Sequence, residues 1–250
     1  MIPQIKSITR SVLEGVTHLV FPKVCWVCEQ FVPDEPGLIC SPCLKQLTTD
    51  NARTCPRCSA SVGEYGHLAN GCGNCRNMTY HFDKALRLGL YENRLREVIL
   101  RMKKANGEIL AEIIGQTWAN ARQKDLLSLS ADVVIPMPLH WRRRFTRGYN
   151  QAETLARQVA KGLNLKCLSW CLSRVRYTAY QYSLSKEQRK ENMRNVFRAS
   201  RRRKLQGKTV LLIDDVLTTG STASAAAQAL KQAGAKRVYV AVLAFRQKKG

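Results

Sequence analysis

Two adjacent acids followed by a run of small hydroxyl residues are the part of this chain best suited to chemistry. Asp214 and Asp215 follow the apolar run Val210 to Ile213, and Thr218-Thr219-Gly220-Ser221-Thr222 comes two residues later. Carboxylates can accept hydrogen bonds from sugar hydroxyls or hold a divalent metal. Free N–H groups at a helix start suit a phosphate. Val210 to Ile213 does not alternate, so it reads as a strand buried on both faces, with the acids where that strand ends. The hydroxyl-rich residues read as a loop. It opens an Ala-rich helix over 223–233, which contains no proline. Open parallel sheets bind ligands outside the carboxyl ends of their strands, so the stretch reads as a ribose-phosphate cradle. The plainer alternative is a strand, turn and helix whose acids merely cap the turn. The Gly-Lys-Ser/Thr ending of a nucleotide P-loop is missing, which argues against an ATPase.

The order apolar run, two acids, two apolar residues, Thr-Thr-Gly, any residue, Thr resembles the phosphoribosyl diphosphate (PRPP) motif of type I phosphoribosyltransferases. The resemblance implies PRPP as the ligand.

A second set of residues could hold metal. Eight of the ten cysteines form Cys-x-x-Cys pairs: Cys25/Cys28, Cys40/Cys43, Cys55/Cys58 and Cys72/Cys75. Successive pairs are separated by eleven, eleven and thirteen residues; Pro33, Pro36, Gly37, Gly63, Gly66 and Gly71 fall in these intervals, and Gly73 lies within the last pair. One such turn points two thiolates at a tetrahedral ion and two turns complete the shell, so four pairs predict two structural Zn²⁺ sites. Sequential pairing is expected, with a cross-braced arrangement as the alternative. Disulfides and an iron–sulfur cluster are the rival readings. Cys167 and Cys171 fall outside the pattern and read as ordinary buried thiols.

A third stretch, Trp141-Arg142-Arg143-Arg144-Phe145-Thr146-Arg147-Gly148-Tyr149-Asn150-Gln151, interleaves arginines with aromatics. Guanidinium groups fork onto phosphate oxygens and aromatic rings stack on bases. The stretch therefore reads as a basic loop facing the diphosphate, as a track for single-stranded nucleic acid, or as a solvated charge run. Residues 174–203 are polar with little periodicity and could form a flap over the phosphate site.

The elements that must position these groups are legible from periodicity. Strands are expected at 84–91, 132–136 and 237–243. Helices are expected through Leu95, Val98, Ile99 and Met102 and over about 108–122. Together these predict an α/β fold: a parallel sheet with flanking helices, preceded by a small cysteine module. The boundaries read as an amphipathic helix at 1–20, a zinc module at 21–80 and the α/β domain at 81–250.

The 250 residues include 41 Lys and Arg against 18 acids, a formal charge of +23. Such a field attracts polyanions, whether nucleic acid, anionic membrane or phosphorylated small molecules. The N-terminal stretch places Ile2, Ile5, Ile8, Val12, Leu13, Val16, Leu19 and Val20 at helical spacing, broken by Lys6, Arg10, Glu14 and His18. It is too polar to span a membrane or to serve as a secretory signal. It is expected to pack on the protein or to lie on a membrane surface. No transmembrane segment is predicted. The expected compartment is the cytoplasm, with the inner face of the membrane as a further location.

Taken together, these pieces resemble the ComF family of bacterial proteins. The resemblance rests on the cysteine pairs from Cys25 to Cys75 and on Arg147-Gly148-Tyr149-Asn150-Gln151-Ala152. It also rests on the spacing Thr178, Gln181, Leu184-Ser185, Arg189, Asn192 and Phe197, and on the motif at 210–222. It implies a double zinc ribbon joined to a type I phosphoribosyltransferase-like domain. Its implied role is in natural competence, with single-stranded DNA and DNA-uptake proteins as partners. It further implies that Asp214 and Asp215 meet ribose hydroxyls near Mg²⁺, that Thr218, Thr219, Gly220, Ser221 and Thr222 hold the 5′-phosphate, and that Arg147 faces the diphosphate. The chain departs from the family pattern at Lys104, where an aromatic often follows the lysine at 103. No acceptor for a transferred ribosyl group is legible. A phosphoribosyltransferase of nucleotide salvage and a non-catalytic zinc-ribbon adaptor for nucleic acid remain the alternative functions.

Overall fold

A computed structural model describes residues 23–63, 71–175, 196–200 and 205–247. The expected N-terminal helix and nearly all of the expected flap lie outside the described residues. The chain divides into two compact units at Leu47/Thr48, between the two halves of the cysteine module.

In the unit ending at Leu47, Cys25 and Cys28 sit on a tight turn. Cys40 leads into helix α1 (Ser41–Thr48), which carries Cys43 on its buried side. The other unit is built on five parallel strands: β1 (Lys84–Leu90), β2 (Val133–Pro136), β3 (Lys166–Cys167), β6 (Thr209–Leu217) and β7 (Arg237–Phe245), in the order β1-β7-β6-β2-β3. Between them in sequence come helices α2 (Asn93–Met102), α3 (Glu108–Ala121), α4 (Gln123–Leu127), α5 (Trp141–Arg147), α6 (Gln151–Gly162) and α7 (Ser221–Gln232). A short antiparallel pair, β4 (Leu172–Arg174) and β5 (Phe197–Ala199), stands apart from the sheet.

The unalternating run behaves as its composition dictates. Val210, Leu211, Leu212 and Ile213 are fully buried in the middle of the sheet. Helix α7 covers one face of that sheet with Leu230 and with Ala223, Ala226 and Ala227, whose small side chains let the helix lie close.

Two boundaries differ from the sequence reading, and both matter for the site. Strand β6 does not end at Ile213. It continues through both acids to Leu217 because β7 runs on to Phe245 and keeps supplying backbone partners, Asp214 opposite Val242 and Leu217 opposite Phe245. On its other side β6 loses its partner early, since β2 stops at Pro136, opposite Ile213. The acids therefore lie on a strand that is paired on one side and open on the other.

The second difference is the basic stretch, which is the helix α5 rather than a loop. His140 caps it, its Nδ1 accepting the Arg142 N–H at 3.3 Å. Gly148 ends it in the left-handed region at φ 83°, where a glycine carries no steric penalty.

Candidate functional site

The open side of β6 forms one wall of a cavity of about 520 Å³. Asp214, Asp215 and Thr222 line it from the β6–α7 side. Met137, Pro138 and Leu139 line it from the segment after β2. Lys103, Arg143, Arg147 and Arg174 supply cations around it. Carboxylates on one wall and four cationic side chains on the others suit a ligand with both hydroxyls and phosphates.

The two acids have opposite electrostatic settings. Asp215 is buried, and burial alone would raise its pKa. Lys103 outweighs that effect with an ion pair at 2.9 Å, and Gln151 Nε2 donates to the same oxygen at 3.0 Å, so the carboxyl lies below its ordinary value. Asp214 is pushed well above its ordinary value by burial and then by the neighbouring Asp215 charge. Its Oδ1 accepts the Asp215 N–H at 2.8 Å. Asp214 thus has a half-buried carboxyl whose ionisation nothing nearby fully compensates, a setting that an added cation would relieve.

The stretch from Arg147 to Gln151 is a set of fasteners. Arg147 donates to the Gln151 side chain. Tyr149 is buried and its hydroxyl donates to the Met102 carbonyl, next to Lys103. It therefore offers no face for stacking a base, contrary to its reading as part of an exposed aromatic series. Asn150 caps α6 through the Ala152 N–H at 3.2 Å and donates to the Met137 carbonyl at 3.1 Å. Gln151, at the first turn of α6, reaches Asp215. These residues therefore join the ends of α2, β2, α5 and β6 around one cavity.

The hydroxyl-rich segment divides between loop and helix. Thr218 and Thr219 are exposed, Gly220 occupies the left-handed region at φ 77°, and Ser221 and Thr222 form the first turn of α7. Of the five, Thr222 lines the cavity. Lys103 is the clearest residue that the sequence reading left without a role. The signal for it is the family pattern alone, since a lysine after an amphipathic helix ordinarily reads as a solvated end.

Helix α5 gives the rim a second character. It buries none of its residues. Phe145 is 88 % exposed, Trp141 65 % and nearby Trp170 81 %. Arg142 lies over the Trp141 ring at 5.3 Å and Arg144 over the Trp170 ring at 5.5 Å. The same helix turns Arg143, Thr146 and Arg147 toward the cavity.

The cysteines gather into two sets in sequential order, Cys25, Cys28, Cys40 and Cys43, then Cys55, Cys58, Cys72 and Cys75, with the sulfurs of each set within 4.8 Å of one another. The Sγ–Sγ distances of 3.5 Å for Cys58–Cys72, 3.8 Å for Cys55–Cys75 and 3.9 Å for Cys28–Cys40 are far too long for disulfides. A tetrahedral ion with Zn–S bonds of about 2.3 Å separates its sulfurs by ~3.8 Å, so the donor sets fit zinc. An iron–sulfur cube, which spreads its cysteines over four irons, needs wider spacing. The two leading turns are built alike. Glu29 and Ser59 adopt φ of 62° and 63°, and each donates its N–H to the carbonyl of the first cysteine of its pair at 2.8 Å. Burial pushes the Cys25 thiol up, but N–H groups of Cys28, Cys40 and Val27 outweigh it and bring the group to about 6, ready to ligate.

The second Cys₄ set shares its core with the sheet: Cys55, Cys58, Ala60, Cys72 and Cys75 pack in one apolar cluster with Phe82, Ala85 and residues of β6 and β7. Among the described residues no helix is long and apolar enough to cross a membrane.

Comparison with known proteins agrees with this architecture. A Double zinc ribbon domain matches residues 16–76 and a Phosphoribosyl transferase domain matches residues 148–250. The chain is 32% identical over 207 residues to Competence protein F of Haemophilus influenzae, covering 81% of this chain and 88% of that protein. It is 31% identical over 226 residues to DNA utilization protein YhgH of Escherichia coli K12, and 32% identical over 226 residues to the Salmonella typhimurium protein of the same name. Each of these two matches covers 89% of this chain and 96% of the relative. With a double zinc ribbon, a parallel sheet of phosphoribosyltransferase type and relatives matched over most of their length, the chain belongs to the ComF family.

Proposed function

We propose that this protein binds Mg²⁺–PRPP in the cavity beside β6 and acts with single-stranded DNA during DNA uptake and natural transformation. The observation that carries the first part is the pairing, in one cavity, of Asp214, Asp215 and Thr222 with Lys103, Arg143, Arg147 and Arg174. In this reading Asp214 and Asp215 accept from the ribose hydroxyls beside the metal. Thr218, Thr219, Gly220, Ser221 and Thr222 hold the 5′-phosphate with hydroxyls and the N-terminal N–H groups of α7, and Arg147 meets the diphosphate. The raised pKa of Asp214 fits a carboxylate awaiting a cation.

The second part draws on relatives named for competence and DNA utilization and on the outward face of α5. Phe145, Trp141 and Trp170 offer stacking platforms between arginines, an arrangement that binds single strands without reading their sequence. The protein would do this in the cytoplasm, at the inner face of the membrane where an incoming strand emerges.

The test compares wild type with Asp214→Asn/Asp215→Asn in calorimetric binding of Mg²⁺–PRPP and in fluorescence anisotropy with an oligodeoxynucleotide. The variant should lose PRPP affinity while keeping its affinity for DNA. A wild type that binds no PRPP defeats the ligand assignment. A DNA affinity that does not fall with salt defeats the phosphate-contact account of the basic surface. Consumption of a purine or pyrimidine together with PRPP would instead establish a salvage transferase.

A further inference from the structure

We propose that Tyr80 positions the phosphate loop, and that through it the second Cys₄ site sets how tightly that loop holds its ligand. The inference rests on the PRPP reading of the cavity. Tyr80 lies five residues after the last cysteine of that site, neither among the zinc donors nor among the cavity-lining residues. Its hydroxyl donates to the Thr219 carbonyl at 2.9 Å. Its ring lies directly against Gly220, where an added Cβ would fall 2.9 Å from Tyr80 Cε1. Gly220 therefore has to be glycine twice over, for its positive φ and for the ring beside it. The next residue continues the grip: the His81 N–H donates to Ser224 Oγ at 3.0 Å, in the first turn of α7. Residues 80 and 81 thus hold the loop and the helix start whose N–H groups must converge on a phosphate.

From its other side Tyr80 is held by the metal module. It stacks on Phe82 with ring centroids 4.5 Å apart, and the Arg57 guanidinium sits over its ring at 5.4 Å. Arg57 lies inside the Cys55–Cys58 turn, and its two terminal nitrogens donate to the carbonyls of Cys75 at 3.0 Å and Met78 at 2.6 Å. It therefore spans both halves of the Cys₄ site, and its place over Tyr80 depends on the two turns staying together. A zinc ion bound by Cys55, Cys58, Cys72 and Cys75 joins those turns. Losing it frees Arg57, loosens Tyr80 and relaxes the loop at Thr219 and Gly220. Linkage makes the coupling reciprocal, so a ligand that holds the loop also slows loss of that zinc ion.

Tyr80→Phe removes the hydroxyl and keeps the ring. By calorimetry it should weaken Mg²⁺–PRPP binding roughly threefold to tenfold, the value of one neutral hydrogen bond. Zinc content and thermal stability should stay near those of the wild type. Arg57→Met, which keeps the reach and removes the donors, should shift affinity in the same direction. In the unaltered protein, zinc loss to a chromogenic chelator should occur in two phases, and saturating PRPP should slow one of them. Wild-type affinity in Tyr80→Phe overturns the proposal, as does zinc loss that PRPP leaves unchanged. If the wild type binds no PRPP, the ligand assignment fails and takes the coupling with it. If the wild type binds and Tyr80→Phe binds equally well, the coupling alone fails.

Discussion

Arg87 offers the sharpest test of the claim that the second zinc ribbon is built into the sheet. It lies on β1 with its side chain 1% exposed, and every arm of its guanidinium is engaged by the ribbon segment. Nε and Nη2 fork onto the Asp50 carboxylate at 2.7 and 3.2 Å, Nη1 donates to the Ser59 carbonyl at 2.8 Å, and Nη2 also donates to Ser61 Oγ at 2.8 Å. Arg87→Met keeps most of the volume and removes the donors. It leaves the Asp50 carboxylate, only 9% exposed, without its counter-charge, and it leaves the Ser59 carbonyl without its donor. Breaking a buried pair from one side costs about 3–5 kcal/mol. Asp50 lies near enough to the surface to recover some hydration, which favours the lower end, about 3 kcal/mol. For a protein of this size each kcal/mol is worth roughly 2–4 °C in Tm, so the expected drop is about 6–12 °C. Adding Asp50→Leu should recover much of it, because the stranded charge rather than the missing pair carries the cost. Differential scanning calorimetry at fixed free zinc measures both variants. A single variant within about 2 °C of wild type, or a double variant no more stable than the single, would refute the account of Arg87 as a buried clamp.

Asp214→Asn should raise the Tm of the ligand-free protein by a few degrees at neutral pH while removing Mg²⁺–PRPP binding. The sign follows from the raised carboxyl. The folded state holds the proton more tightly than the unfolded state, so the cost of ionisation appears as pH rises from the ordinary 3.8 through the raised value, and the gap between variant and wild type should widen over that window. An unchanged or lowered Tm at neutral pH counts against this. The two Cys₄ sets should respond differently, since the first belongs to the unit ending at Leu47 and the second shares the core of the sheet. Cys72→Ser should lower the stability of the sheet-bearing unit and Cys40→Ser should not, as read by hydrogen exchange in β6 and β7, with equal effects refuting the distinction. On α5, Phe145→Ala should weaken binding of single-stranded DNA by roughly 1–3 kcal/mol without altering the salt slope. Arg142→Ala should instead reduce that slope by about 0.7, measured by anisotropy over a salt series. A Phe145→Ala variant that binds at wild-type strength removes the stacking role.

The parts of the fold that can be read from the sequence are those decided by local pattern. Val210 to Ile213 reveals a doubly buried strand because nothing in it alternates. The cysteine pairs reveal their metal geometry because each turn is local, and the Ala-rich run reveals the covering helix. The parts that cannot be read this way depend on a distant partner. Arg87 reads as an ordinary polar position in an alternating strand, because its partner Asp50 lies 37 residues away in the ribbon segment. The end of β6 depends on how far β7 continues and on where Pro136 stops β2, neither of which is written in β6 itself. The basic stretch reads as a loop because its charges hide the helical register. The cap at His140 and the stop at Gly148 are the signals that mark its two ends.

The stretch from Arg147 to Gln151 shows how the site uses such distant dependence. Its residues look like phosphate ligands and base-stacking aromatics, but most of them fasten other elements. Tyr149 anchors the end of α2 beside Lys103, Asn150 ties α6 to the segment after β2, and Gln151 brings the start of α6 onto Asp215. Lys103 and Gln151 then converge on one oxygen of Asp215, and Asp214 is left as the half-buried carboxyl without matching compensation. Successive residues of a strand face opposite ways, so Asp214 and Asp215 start from different surroundings. The fasteners set them further apart, pairing Asp215 with a lysine and leaving Asp214 with a raised pKa. On this argument Gln151→Leu should act on the ligand through Asp215. It should weaken Mg²⁺–PRPP binding by roughly tenfold to a hundredfold, about the value of one hydrogen bond to a charged group, while leaving DNA affinity unchanged. Equal losses of both affinities would show that the residue supports the fold in general rather than the asymmetry of the two acids.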